Sequence, residues 1–147
     1  MIHPALLLAR LREGSDDAEL LAWLQDGFAR WTSGNGAVTL YAALGLPPSP
    51  AAVRREERDL WLRGAAEKLA GSPWGKAERL AIEIRRLGSA WGTLTVPPSS
   101  ATPVQACLFF ALRTGATLPR TARRLHTIIT EAHLENASEK VVKARAA

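Results

Sequence analysis

The sequence predicts an all-α protein: a compact bundle of six or seven helices with a C-terminal helix-turn-helix-like hairpin. Apolar side chains recur at helical spacing through most of its 147 residues. A serine or threonine followed by proline, which is typical of a helix start, occurs at Ser49, Ser72 and Thr102. The weak strand signal TLTV (93–96) has no partner of similar strength, so no sheet is expected.

The first part of the chain predicts three helices. HPALLLARLREG (3–14) has proline in its first turn and ends at a glycine. Ser15 is the expected N-cap of a second helix, which ends at SGNG (33–36). A third, short helix is expected in AVTLYAALGL (37–46). The apolar positions of the second helix, all expected to be buried, are Leu20, Leu21, Leu24, Phe28 and Trp31.

Four further helices are expected after residue 49, separated by turn residues. The fourth spans 50–69 and the fifth starts at Pro73, with an apolar stripe that includes Trp74. Residues 92–103 form the longest non-helical stretch, before a helix that ends at Gly115. The last helix is expected from about Leu118 to about Glu135.

The length of the chain suits one domain. Residues 1–135 are expected to form a single helical domain, and residues 136–147 a basic tail or an extension of the last helix. Tryptophans bury a large apolar area, so the core is their expected place. The five tryptophans are Trp23, Trp31, Trp61, Trp74 and Trp91.

Positive charge is concentrated in the later part of the chain. The whole sequence has 19 Lys and Arg and 14 Asp and Glu residues, a net charge of +5. Residues 1–30 carry a net charge of −2, and residues 31–50 have no charged side chain. Residues 51–147 hold sixteen basic and nine acidic side chains, a net charge of +7. A polyanionic partner is therefore expected to contact residues after position 50.

The segment ACLFFALRTGATLPRTARRLHTIITEA (106–132) contains the parts of a helix-turn-helix in the usual order. Ala111 is small, as close packing at the turn requires, and lies four residues before Gly115. The positions that the usual motif buries, six and nine residues after that glycine, are Thr121 and Arg124. The apolar positions come one residue later, at Ala122, Leu125 and Ile128 or Ile129. Two interpretations stay open: a lengthened turn, or an ordinary helical hairpin.

The predicted nucleic-acid-binding residues are mostly arginines, whose planar guanidinium suits both guanine and phosphate. In the hairpin they are Arg113, Arg120, Arg123, Arg124 and Thr127. In the helix after Pro50 they are Arg54, Arg55 and Arg58. The second set is interleaved with acidic residues at 56, 57 and 59, which also suits a solvated helix with ion pairs along its own surface.

Signals for catalysis or cofactor binding are few, and no enzyme, catalytic residue, metal or cofactor is expected. GSPWGKAE (71–78) lacks the spacing of a phosphate-binding loop. His126 and His133 are seven residues apart, about 10.5 Å along one helix, too far to share a metal ion unaided. Cys107, the single cysteine, lies in an apolar run and predicts a buried, unreactive thiol. No apolar run approaches the roughly 18 residues of a membrane span.

LFFALRTGATLPRTARRL, preceded by LYAALGLPP and RREERDLWLRGAA, resembles small helical proteins of prophages and mobile elements. The resemblance covers about two thirds of the chain in style and transfers no functional residue. It implies a bacterial, cytoplasmic protein that binds nucleic acid or a host protein.

Two functions follow as hypotheses. The first is a nucleic-acid-binding accessory protein that uses an arginine-rich helical face on the phosphate backbone of DNA or RNA. The alternative is a non-enzymatic protein-interaction module, such as an adaptor or inhibitor within a larger assembly, or a homo-oligomer. Its basis is the uncharged, apolar stretch 31–50 together with the many tryptophans. No membrane partner is expected.

Overall fold

A computed structural model describes residues 2–87 and 89–131, and these contain helices and no strand. The predicted all-α fold class is confirmed. The expected tail at 136–147 and His133 lie outside the described residues. The helices are α1 (Pro4–Arg12), α2 (Ala18–Ser33), α3 (Leu40–Ala43), α4 (Pro50–Glu67), α5 (Pro73–Leu87), a 3-10 turn (Ser89–Thr93) and α6 (Pro103–Arg113). A further helix, α7, is described over residues 122–131.

Side-chain caps define where the helices start. Ser49 and Ser72 each accept a hydrogen bond from the backbone N–H three residues later, at 3.1 Å, as the sequence predicts. Thr102 forms a reciprocal capping box at the start of α6. The prediction for α2 was wrong, because its N-cap is Asp17 rather than Ser15. The Asp17 carboxylate accepts a hydrogen bond from the Leu20 backbone N–H at 3.1 Å. It also places a negative charge at the positive end of the helix dipole.

The chain packs as two compact units, Met1–Glu57 (unit 1) and Arg58–Ala147 (unit 2). Helix α4 begins in unit 1 and ends in unit 2. The single domain expected over residues 1–135 stays a prediction. No helix in the described part of the chain is long and apolar enough to span a membrane.

Unit 1 is built around a small apolar cluster. Leu44, Leu46 and Val53 form its buried centre. The indole N–H of Trp23 donates to the Leu44 carbonyl at 2.9 Å, which holds α2 against the end of α3. Gly27 packs closely against the end of α3, because any Cβ there would overlap the Leu44 side chain. The missing side chain at this position is therefore what allows α2 and α3 to pack so tightly.

The predicted buried face of α2 was wrong in part. Leu20 is fully buried, but Leu21, Phe28 and Trp31 are 48%, 45% and 43% exposed. Contact through Gly27 turns the buried side of the helix toward positions 20 and 27, so the neighbouring apolar side chains face outward. Phe28 and Trp31 contact each other edge to face, with ring centroids 6.4 Å apart.

Unit 2 has the larger core. Buried residues from the unit 2 part of α4 and from α5, α6 and α7 form one cluster, with Leu62, Leu80, Leu108, Leu125 and Ile128 fully buried within it. Trp61 stacks on Phe110 at 4.8 Å between centroids. Cys107 packs against this cluster, and burial raises the pKa of its thiol. The burial predicted for Trp74 was wrong, because that side chain is 46% exposed in the first turn of α5.

Candidate nucleic-acid interface

The segment between α6 and α7 is longer than the sequence predicts. Helix α6 ends at Arg113, and α7 begins at residue 122 rather than at Leu118, which leaves eight connecting residues. The Thr121 hydroxyl accepts a hydrogen bond from the Arg124 N–H at 3.4 Å and serves as the N-cap. A helix-turn-helix has a turn of three or four residues. The connection is therefore longer than the turn of the usual motif, and both interpretations left open by the sequence, a helix-turn-helix with a lengthened turn and an ordinary helical hairpin, stay predictions.

The buried side of α7 follows the shifted apolar pattern. Leu125 and Ile128 are fully buried, whereas Thr121 and Arg124 are exposed. Ala111 on α6 is fully buried in the same cluster. The two helices therefore share one core, and the arginine side chains of α7 are left on its outer side.

Three predicted residues form the outer surface of this region: Arg120, Arg123 and Arg124, all exposed. Position 127 lies four residues after 123 and three after 124, so it shares one face of α7 with both arginines. Among the described residues, none of the three arginines has an acidic side chain within ion-pair distance. Thr127 lies on the same face, but its hydroxyl already donates to the Arg123 carbonyl at 3.1 Å. We call Arg123 and Arg124 of α7, together with Arg120 of the connection before it, the α7 arginine face.

Arg113 is exposed at the end of α6 but has contacts of its own. Its guanidinium donates to the Thr95 carbonyl and lies 6.0 Å from the centroid of the Phe109 ring. These contacts fix the side chain beside the 94–102 segment. Arg113 thus adds positive charge to the surface, but part of its guanidinium is already used in the hydrogen bond to Thr95.

Arg58 must be removed from the predicted interface, because its side chain is only 9% exposed. The guanidinium forms an ion pair with Asp59 at 2.7 Å and donates to the Thr117 carbonyl, also at 2.7 Å. Both contacts are made to residues of unit 2, so this guanidinium is not available to bind a nucleic acid. The hydrogen bond to Thr117 connects α4 to the segment that leads into α7.

Arg54 and Arg55 are exposed on the part of α4 that belongs to unit 1. The sequence suggested ion pairs between these arginines and the acidic residues that follow them on α4, but Glu56 and Glu57 have other partners. Glu56 instead lies 2.8 Å from His3, and Glu57 lies 2.7 Å from Arg12. Since both acids are paired to α1 or its cap, Arg54 and Arg55 have no carboxylate partner among the described residues.

Helix α5 contributes groups that the sequence did not assign to the site. The exposed Trp74 ring contacts the His126 ring edge to face, with centroids 5.5 Å apart. His126 is three residues after Arg123 on α7, so an exposed aromatic side chain lies beside the arginine face. The apolar pattern of α5 could not reveal this, because an exposed tryptophan at the edge of a stripe has the same spacing as a buried one.

The net charge of the two units also places the positive charge on the unit that holds the α7 arginine face. Unit 1 carries five basic and seven acidic side chains, a net charge of −2, and unit 2 carries fourteen and seven, a net charge of +7. Arg54 and Arg55 are balanced by Glu56 and Glu57, so the change in charge falls at the boundary between the units.

No protein-family model matches this sequence, and neither a curated protein nor a solved structure is similar enough to it to count as a match. The functional argument therefore depends on the residues and geometry described above.

Proposed function

We propose that this protein is a nucleic-acid-binding accessory protein, which contacts the phosphate backbone through the α7 arginine face. The observation that supports this is the group of three exposed guanidiniums without a described acidic partner, on a unit with a net charge of +7. Phosphate contacts are made by just such side chains and need no particular base sequence. The eight-residue connection departs from a base-reading helix-turn-helix, so backbone binding is the mode proposed.

The energetic basis is the release of counterions. Each phosphate neutralised by an arginine frees condensed cations, so the logarithm of the binding constant falls linearly with the logarithm of the salt concentration. Each phosphate contact contributes about 0.9 to this slope on duplex DNA. Three contacts should therefore account for about 2.7 of the slope. Trp74 adds a ring on which an unpaired base could stack.

The test measures binding of a fluorescent 20-base-pair duplex, and of single strands of DNA and RNA, at four salt concentrations. The variant replaces Arg120, Arg123 and Arg124 with Ala. A matched control removes the same charge from exposed positions elsewhere in unit 2, at Lys68, Arg79 and Arg86.

The triple variant is expected to bind more weakly at every salt concentration, with a slope lowered by two to three. The control should lose much less affinity, because charge away from the contact acts only through the screened overall field. Equal losses in variant and control, or no binding by the wild type, would reject the α7 arginine face as the interface.

A second function, a protein-interaction module, is favoured by a separate observation in unit 1. Leu21, Phe28 and Trp31 form an exposed apolar stripe on α2, and Tyr41 on α3 is 39% exposed. Exposed apolar groups that cluster mark interaction surfaces more often than scattered ones do. A second copy of this chain or a partner protein would bury this stripe.

Self-association and partner capture are tested by light scattering and by pull-down with a Phe28→Ser, Trp31→Ser variant. The control replaces Thr32 and Gln25, exposed polar residues of the same helix, with Ser. An oligomer or a retained partner that is lost only in the apolar variant would support this function. A wild-type monomer that retains no partner would contradict it.

A further inference from the structure

Unit 2 contains a pocket of about 510 Å³ where the C-terminal part of α5 faces the connection before α7. This volume is within the range of small-molecule sites, roughly 300–1,000 Å³. The apolar part of its lining consists of Ile84, Leu87, Leu112, Ala116 and Leu118. The two charged residues that line it are Arg85 and Arg120.

Hydrogen bonds to α4 and α6 hold the part of the pocket wall that is formed by the connection. Arg58 binds the Thr117 carbonyl at 2.7 Å, and the buried Thr114 hydroxyl donates to the Ala111 carbonyl at 2.7 Å. The same hydroxyl accepts the Ala116 N–H at 3.2 Å. The wall is thus fixed to α4 and α6 before any ligand arrives, which lowers the entropic cost of binding.

The two arginines of the pocket are available to a ligand. Arg85 uses its Nε to donate to the Ala81 carbonyl, which orients the guanidinium and leaves its terminal nitrogens free of described partners. Arg120 has no acidic partner among the described residues. The neighbouring Arg86 differs, because it pairs with Glu83 at 3.6 Å and does not line the pocket.

We propose that this pocket binds a small organic acid, with its carboxylate between Arg85 and Arg120 and its apolar body on the leucine and isoleucine side chains. The guanidinium fork matches a carboxylate through two parallel hydrogen bonds. The aliphatic lining offers no hydrogen-bonding side chain besides a threonine, so it suits a hydrocarbon body better than a sugar or a polar base. The proposal does not depend on nucleic-acid binding.

The test uses the full chain and isothermal titration calorimetry with three probes. Octanoate carries both the carboxylate and an apolar body, octanamide has the body without the charge, and acetate is the head group alone. The variants are Arg85→Ala, Arg120→Ala and Ala116→Phe, the last of which fills the pocket from its wall. Arg86→Ala is the matched control, since it removes an adjacent exposed arginine.

Octanoate is expected to bind saturably with one site, and to bind at least about tenfold more tightly than octanamide or acetate. Each arginine variant should weaken octanoate about tenfold or more, Ala116→Phe should abolish binding, and Arg86→Ala should leave it unchanged. Equal binding of octanoate and octanamide would indicate apolar adsorption only and overturn the proposal. Equal weakening by Arg86→Ala, or no octanoate binding, would overturn it as well.

Discussion

Arg58 provides the sharpest test of the structure, because a surface arginine and a buried one predict opposite results. Replacing Arg58 with Ala leaves the Asp59 carboxylate, 17% exposed, without its cation. It also removes the donor to the Thr117 carbonyl. Removing one partner of a buried ion pair costs about 3–5 kcal/mol. Because Thr117 is exposed and water can replace the lost donor, loss of this hydrogen bond adds only about 0.5–1.5 kcal/mol.

These two costs overlap, and the partial exposure of Asp59 lets water solvate the carboxylate. The lower end of the range is therefore expected, a loss of about 3 kcal/mol in the free energy of unfolding. For a chain near 150 residues this corresponds to a decrease in Tm of about 10 °C. The loss should fall on unit 2, since both partners of Arg58 belong to it.

The assay is urea unfolding at 25 °C, followed by far-UV circular dichroism and by tryptophan fluorescence. Arg55→Ala is the matched control, because it removes an exposed arginine from the same helix and should change stability by less than about 0.5 kcal/mol. Adding Asp59→Asn to Arg58→Ala should restore part of the loss, since the unpaired charge is then absent. A loss below about 1 kcal/mol, or one equal to that of the control, would refute a buried, paired Arg58.

Three further predictions concern single helices. Gly27→Ala should destabilise unit 1 by about 1 kcal/mol net in urea unfolding, because the overlap of the new methyl group with the buried Leu44 side chain, which costs about 1–3 kcal/mol, exceeds the gain of about 1 kcal/mol that alanine brings to a helix interior; a stabilised variant would contradict the close approach of α2 and α3. Thr102→Ala should cost about 1 kcal/mol through loss of the α6 capping box, whereas Thr102→Ser should restore most of it. Asp17 has a pKa lowered below its usual 3.8, first by the backbone hydrogen bond at the α2 cap and also by Arg10. Its contribution to stability is present above the pKa of the unfolded chain and is lost as pH falls through the lower folded value. Asp17→Asn should therefore flatten the decrease in Tm as pH falls below about 5, and an unchanged acid profile would contradict this.

The sequence predicted the helix starts at Ser49, Ser72 and Thr102 better than it predicted the buried face of α2. A cap depends on a few neighbouring residues, so Ser49 and Ser72 could be identified from their local pattern. Which side of α2 is buried depends instead on a partner distant in sequence. A pattern of apolar side chains does not include glycine, so it could not show that α2 packs through Gly27. The pattern therefore predicted that Phe28 is buried, whereas its side chain is exposed.

The candidate site was predictable in residue type and only partly in geometry. Arg54, Arg55 and Arg58 are alike in composition, but Arg58 lies four residues before Leu62 and seven before Ala65, both fully buried. That spacing was available in the sequence and indicates a shared buried face. The later start of α7 was missed although its N-cap, Thr121, is a residue type that caps helices. The local pattern could not show the hydrogen bond across 59 residues, from Arg58 to the Thr117 carbonyl, that contacts the connection before α7.

The separation of charge from apolar exposure makes the two proposed functions distinguishable without knowing any partner. Unit 2, with a net charge of +7, holds the α7 arginine face, and unit 1, with −2, holds the exposed stripe of Leu21, Phe28 and Trp31. A complex made through phosphate contacts weakens steeply as salt rises. A complex made by apolar burial is insensitive to moderate salt and is strengthened by sulfate, which is excluded from protein surfaces. The sign of the salt response of any isolated complex therefore assigns it to one unit, and the matched arginine and aromatic variants then test that assignment residue by residue.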